Sequence, residues 1–72
     1  MKKYTIQRVS TGKYLNAIFA DTLDNMFQVD VPDHLNCVNS NSFINLAKVV
    51  SILEIRFKES FIVTELKQPT LH

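Results

Sequence analysis

The choice between a mixed helix–sheet domain and an all-strand domain rests on residues 42–57, which read SFINLAKVVSILEIRF. Apolar side chains recur here at the three- and four-residue spacing of one helical face, at positions 43, 46, 47, 50, 53 and 57. Either Ser40 or Ser42 can cap such a helix, because a serine oxygen accepts a backbone N–H of the first turn. The pattern therefore predicts a helix that begins near Ser42.

A strand is the alternative for the second half of this stretch. Residues 49–57 are rich in β-branched side chains, and residues 58–60 would then form a turn into a strand over 61–66. The helix is favoured because its apolar face extends back through Phe43 and Leu46, which a strand beginning at Val49 would exclude. Residues 61–66 are predicted as a strand in both cases, and residues 68–72 as a loose tail.

The N-terminal residues predict a β-hairpin. Residues 3–9 alternate polar and apolar side chains, with Tyr4 and Ile6 on one face. Gly12 lies in the turn that follows, where a positive φ costs glycine nothing. Residues 14–19 are predicted as the return strand. Because an isolated hairpin is marginal in water, its apolar face must pack on another element.

Residues 21–41 connect the hairpin to the helix. Residues 21–25 suggest a turn or a single helical turn, and residues 26–31 suggest a third strand that Pro32 ends. The order is then strand, strand, third strand, helix, strand. It predicts an α+β fold in a single domain over residues 1–72, in which one helix packs on one face of a small, mostly antiparallel sheet.

Composition excludes several classes of protein. The chain has 72 residues, 46% hydrophobic, and a net charge of +1, without the basic excess of a nucleic-acid module. The single Cys37 cannot form an internal disulfide, which favours a reducing cytoplasm. The start Met1-Lys2-Lys3 leads into alternating residues that lack the apolar core of a signal peptide. We therefore expect a soluble, cytoplasmic protein with no membrane partner.

Candidate catalytic groups are sparse. Asp33, His34 and Cys37 lie within five residues and could form a metal half-site or a Cys–His pair, but a structural zinc site needs four ligands. We favour a polar loop in which Cys37 packs as a small hydrophobe. Asp21 and Asp24 lie three residues apart, a spacing that suits helix caps as well as acid–base chemistry. The sequence predicts no enzyme, no metal and no cofactor.

Charge is segregated along the chain. Residues 1–20 carry four basic side chains and no acid, whereas residues 21–40 carry four Asp and no base. A surface with two opposite patches can steer an oppositely patterned partner into place. The predicted contact surface is the hairpin with the acidic segment, and its residues are Tyr4, Arg8, Lys13, Tyr14, Asp21 and Asp24. Phe19 and Phe27 are further aromatic candidates, for which a place in the core is favoured.

Two alternatives involve other partners. The basic hairpin could bind nucleic acid through phosphate pairing and stacking on its tyrosines. The chain could instead form a homodimer or larger assembly through a strand edge or surplus apolar helix surface. Four side chains that lie off the main helical stripe motivate the second alternative: Ile44, Val49, Ile52 and Ile55.

The layout of the chain resembles that of many small bacteriophage proteins. The resemblance is most specific over residues 4–16, YTIQRVSTGKYLN, and continues as an acidic segment, a helix and a closing strand. It implies a small protein that inhibits or redirects a host enzyme or defence protein by direct contact, without catalysis. No catalytic or binding residue is carried over by this resemblance, because the class shares no functional motif.

Overall fold

A computed structural model describes residues 2–18 and 20–66. Phe19 and the predicted tail at 68–72 lie outside these residues. The elements in chain order are β1 (Lys3–Arg8), β2 (Tyr14–Leu15), α1 (Leu23–Met26), β3 (Phe27–Val29), α2 (Phe43–Phe57) and β4 (Phe61–Leu66).

The described strands form one antiparallel sheet of four strands in the order β3-β2-β1-β4. The central strand β1 pairs with β4 along its whole length, from Lys3 opposite Leu66 to Arg8 opposite Phe61. Helix α2 packs against β4 and β1. This arrangement confirms the predicted α+β fold, because the hairpin and the closing strand together offer one apolar face to one helix.

The return strand is shorter than predicted. It spans only Tyr14–Leu15, because residues 36–40 lie between β1 and the residues that follow β2. They form isolated bridges with both, Ser40 with Tyr4 and Cys37 with Asn16. Tyr4 and Ser40 exchange two backbone hydrogen bonds of 2.8 and 3.0 Å, and the Val38 N–H donates to the Leu15 carbonyl at 2.9 Å. Residues 36–40 therefore supply the backbone hydrogen-bond partners that a longer return strand would have supplied. Because these residues are distant from β1 along the chain, the alternation of neighbouring side chains does not predict the pairing.

Residues 43–57 are helical throughout, so the strand alternative for residues 49–57 is wrong. Ser42 is the N-cap, and its side-chain oxygen accepts the Asn45 N–H at 3.3 Å. At the other end Lys58 adopts the left-handed conformation with φ 55°, and its N–H donates to the Glu54 carbonyl. Both ends of the helix are thus closed by local hydrogen bonds.

The core lies between α2 and the sheet. Its buried side chains are Ile6, Leu15, Phe27, Leu46, Leu53 and Phe61. The rings of Phe27 and Phe61 pack with their centroids 5.2 Å apart, which joins strands at opposite edges of the sheet. The predicted third strand is confirmed over Phe27–Val29, and Phe27 belongs to the core. The helical turn predicted within residues 21–25 is α1, with Thr22 as its N-cap; it extends to Met26, which the sequence predicts as the start of the third strand.

Ser42→Ala is expected to lower the free energy of unfolding by about 1 kcal/mol, because the first turn of α2 loses its side-chain acceptor. Urea denaturation followed by circular dichroism measures the change. Ser51→Ala is the matched control, since Ser51 lies in the exposed middle of the same helix and bonds only back to the Ala47 carbonyl. Equal losses for the two variants would contradict a capping role for Ser42.

Candidate interaction surface

The guanidinium of Arg8 is paired with carboxylates of the same chain. Its guanidinium donates to both carboxylate oxygens of Glu59 at 2.8 and 2.7 Å and to Asp24 Oδ1 at 2.7 Å, while Ser10 Oγ donates to Glu59 at 2.9 Å. The side chain of Arg8 is only 12% exposed. These bonds raise the pKa of Arg8 and lower that of Glu59, because each charge stabilises the other. Arg8 therefore joins β1 to α1 and to the turn before β4.

Two other bases of the N-terminal segment have carboxylate partners. Lys13 Nζ lies 3.6 Å from Asp30, and Lys2 Nζ lies 3.9 Å from Glu65. The opposite charges that the sequence separates are thus brought together by the fold at Arg8–Asp24 and Lys13–Asp30. A charge reversal at Arg8 would change the stability of the fold as well as binding, so Lys13 is the cleaner position for testing the hairpin as a contact.

The remaining predicted contact residues differ in exposure. Tyr4 is half-buried and packs edge-on against Phe43, with ring centroids 5.5 Å apart. Tyr14 is half-buried in β2, whereas Asp21 is exposed. Tyr4, Tyr14 and Asp21 lie on different elements, and their role in binding stays a prediction.

The loop that carries Asp33, His34 and Cys37 is held by its own hydrogen bonds. The Asp33 carboxylate accepts the backbone N–H groups of Leu35 and Asn36 and the Asn36 amide, which lower its pKa. Cys37 is fully buried, and that burial raises the pKa of its thiol. Within the described residues, no cluster of three or more His, Cys, Asp or Glu could hold a metal ion. The arrangement fits a loop that covers the sheet.

The outer surface of α2 is the most apolar exposed feature of the described chain. Ile44, Ile52 and Ile55 are 68%, 63% and 79% exposed, on the side of the helix away from buried Leu46 and Leu53. Lys48 lies among them, one turn from Ile44. We name these four residues, Ile44, Lys48, Ile52 and Ile55, the α2 ridge. Single exposed aliphatic residues are common, but three on one helix face form a patch of the kind that marks interaction sites.

A groove runs along one side of the α2 ridge. It encloses about 280 Å³ between α2 and the chain around α1, and Ile52 belongs to both the ridge and the groove. Met26 and Phe57 supply apolar lining, while Asp21 and Arg56 contribute opposite charges. The groove thus brings Asp21, a predicted contact residue, beside the apolar surface.

A second depression lies at the β3 edge of the sheet and holds about 400 Å³. We name it the β3 hollow; its lining includes Asn16, Ile18, Gln28, Asp30, Val31 and Asp33. Ile18 and Val31 are 81% and 71% exposed, so apolar surface there adjoins two carboxylates. No residue of α2 lines this hollow.

No known protein family, curated protein or solved structure was found to match this chain. Within the described residues, no helix combines the length and hydropathy that a membrane crossing requires. What the chain binds must therefore be inferred from its own residues and their geometry.

The ridge residues were detectable in part from the sequence. Ile44, Ile52 and Ile55 fall off the main helical stripe, and the helical interpretation alone predicts that they are exposed. The β3 hollow had no such signal, since its lining brings Asn16 and Ile18 together with residues between 28 and 36, which are distant along the chain. Arg8 was predicted as a contact residue from the segregation of charge along the chain. Its partners Asp24 and Glu59 lie 16 and 51 residues away, so the local sequence does not show that Arg8 is paired within the molecule.

Proposed function

We propose that this chain is a small non-enzymatic binding protein that acts by direct contact with another protein, with the α2 ridge and its adjoining groove as the contact surface. The observation that carries the proposal is the exposure of three isoleucines on the helix face opposite the core. Keeping them in water forfeits the free energy that burial would supply, at about 25 cal/mol per Å² of apolar surface. A partner protein that buries these isoleucines regains that free energy.

The size of the surface is compatible with a specific complex. A standard interface covers about 800 Å² on each partner, which is a modest part of the 5169 Å² of accessible surface on this chain. The ridge and groove together offer apolar side chains, with charged Asp21 and Arg56 beside them. An apolar centre with polar groups at its edge is the usual anatomy of such interfaces.

The resemblance to small phage proteins suggests the kind of target: a host enzyme or defence protein that the chain inhibits or redirects in the host cytoplasm. This remains part of the proposal. Binding to nucleic acid through the hairpin receives less support, because Lys2, Arg8 and Lys13 already have carboxylate partners. Neutralised bases release few counterions from a phosphate backbone and so contribute little affinity.

The test compares matched variants in capture experiments from bacterial lysate, washed at high salt and read by mass spectrometry. Ile55→Asp places a charge on the ridge, whereas Leu35→Asp makes the same change at a side chain that is 89% exposed on the loop. We expect a protein that wild type and Leu35→Asp retain and that Ile55→Asp retains at least roughly tenfold less well. If Ile55→Asp retains every protein that wild type retains, the ridge is not the contact surface.

A further inference from the structure

We infer that this chain self-associates head to tail, with the α2 ridge of one copy seated in the β3 hollow of the next. The inference goes beyond the proposed function and does not depend on it. Both surfaces expose aliphatic side chains, Ile44, Ile52 and Ile55 on the ridge and Ile18 and Val31 at the hollow. One surface is a convex helix, and the other is a depression of about 400 Å³.

The charges of the two surfaces are complementary. Within the described residues, Lys48 and Lys58 on and beside the ridge have no carboxylate partner, and Arg56 stacks on Phe57 with 5.6 Å to the ring centroid. The α2 carboxylate Glu54 is directed to the Phe61 N–H. The outer surface of the helix is therefore basic and apolar.

The β3 hollow has the opposite sign. Asp30 and Asp33 both line it; Asp30 is paired with Lys13 at 3.6 Å, so Asp33 is the lining carboxylate without a basic partner within the described residues. Hydrogen bonds within the loop keep Asp33 in place as an acceptor. A basic apolar ridge and an acidic apolar hollow on the same chain attract each other when they belong to two copies, and like surfaces repel.

A symmetric dimer of two α2 ridges is less favourable. In such a dimer the two α2 helices run antiparallel and Ile44 of each copy lies opposite Ile55 of the other. The two-fold axis then passes midway between positions 49 and 50. The two Lys48 side chains then lie about 4.5 Å apart along the helix axis, within one turn of each other. Two like charges at the centre of an interface oppose association. Seating Lys48 near Asp30 and Asp33 of the next copy removes this repulsion.

The geometry has two consequences. Because the ridge and the hollow are different surfaces, a pair of associated copies still has one free ridge and one free hollow, and association continues into short chains or a closed ring. Because the interface is small, it should be weak and should form at high protein concentration. Self-association also covers the ridge, so it competes with the protein target proposed above.

The test uses analytical ultracentrifugation of the full chain at concentrations up to about 1 mM, where weak interfaces are populated. The ridge variant is Ile55→Asp, the hollow variant is Val31→Lys, and Leu35→Asp is the control; all three sites are highly exposed. We expect the mass of wild type and of the control to rise with concentration above that of a dimer. Each interface variant alone should remain at the monomer mass of 8.3 kDa.

An equal mixture of the two interface variants gives the decisive result. The intact ridge of Val31→Lys fits the intact hollow of Ile55→Asp, so the mixture should form dimers and nothing larger. A mixture that stays monomeric overturns the inference, as does a wild type that is monomeric throughout. Assembly lost in Ile55→Asp but kept in Val31→Lys would instead indicate a ridge-to-ridge dimer.

Protein folding is checked separately. Circular dichroism must show the wild-type spectrum for every variant, and Ile44→Asp and Ile18→Lys serve as second variants of the ridge and the hollow. Assembly should also weaken as salt rises, because opposite charges contribute to it. None of these measurements involves a target protein, so failure of self-association leaves the proposed function standing, and failure of target capture leaves self-association standing.

Discussion

Phe27→Ala is expected to lower the free energy of unfolding by about 3–5 kcal/mol, the usual cost of removing a buried aromatic ring. Phe27 is 1% exposed and packs on Phe61, so the truncation leaves a cavity in the core between α2 and the sheet. A domain of 72 residues has a total stability of about 4–11 kcal/mol. The variant should therefore lose about a quarter or more of the total stability, and its urea midpoint should fall accordingly.

Urea denaturation followed by circular dichroism tests this expectation. Phe43→Ala is the matched control, because Phe43 is 51% exposed and its main contact is the edge-on pair with Tyr4. That variant should lose about 1 kcal/mol, the typical contribution of one aromatic pair. Similar losses for the two variants would show that Phe27 is not at the centre of the core.

The second large effect concerns Arg8 and Glu59. Glu59→Gln should lower the free energy of unfolding at neutral pH and make that free energy depend less on pH. In the native protein the pKa of Glu59 lies below its ordinary value because Arg8 donates to the carboxylate. Because the native pKa is lowered, the stability that the Arg8–Glu59 pair contributes is fully present above the pKa of Glu59 in the unfolded chain. It is lost as pH falls through the pKa of Glu59 in the native protein. Wild type should therefore lose stability below about pH 5, and Glu59→Gln should lose less there.

Unfolding midpoints in urea between about pH 3 and pH 7 check the prediction, because this range spans the titration of carboxylates. Glu65→Gln is the control: its ion pair with Lys2 is 3.9 Å long and exposed on both sides. An exposed pair contributes little to stability, so that variant should follow wild type. If Glu59→Gln also follows wild type, the Arg8 cluster does not hold β1 to the turn before β4.

Adding Arg8→Met tests whether the two residues act as a pair. Removing Arg8 alone leaves Glu59, 27% exposed, without its principal cation. The double variant Arg8→Met, Glu59→Gln should therefore be less destabilised than the sum of the two single variants, because the second change removes a charge that the first left without a partner. Strict additivity would argue against the interaction.

Much of the fold follows from local patterns in the chain. Apolar side chains at helical spacing after Ser42 predict α2, alternation predicts β1, and residues 61–66 are predicted as a strand under both interpretations of the preceding stretch. The exposed isoleucines of the ridge also follow, because a helix that buries Leu46 and Leu53 must present Ile44 and Ile55 to the opposite side. Such features depend on the spacing of neighbouring residues, which is a property of the sequence alone.

Pairings between distant residues needed the three-dimensional structure. The +4 and −4 segments suggested a bipolar surface, yet Arg8 finds Asp24 and Glu59, and Lys13 finds Asp30. The shortened β2 has the same origin, since residues 36–40 take the place beside β1 that the return strand was expected to occupy. Periodicity records which face of an element a residue occupies but not which residue it meets, because contact across a fold depends on how all the elements pack together. The helix and its two faces could therefore be predicted from the sequence, while the group Arg8, Asp24 and Glu59 and the β3 hollow form only when segments distant along the chain are brought side by side.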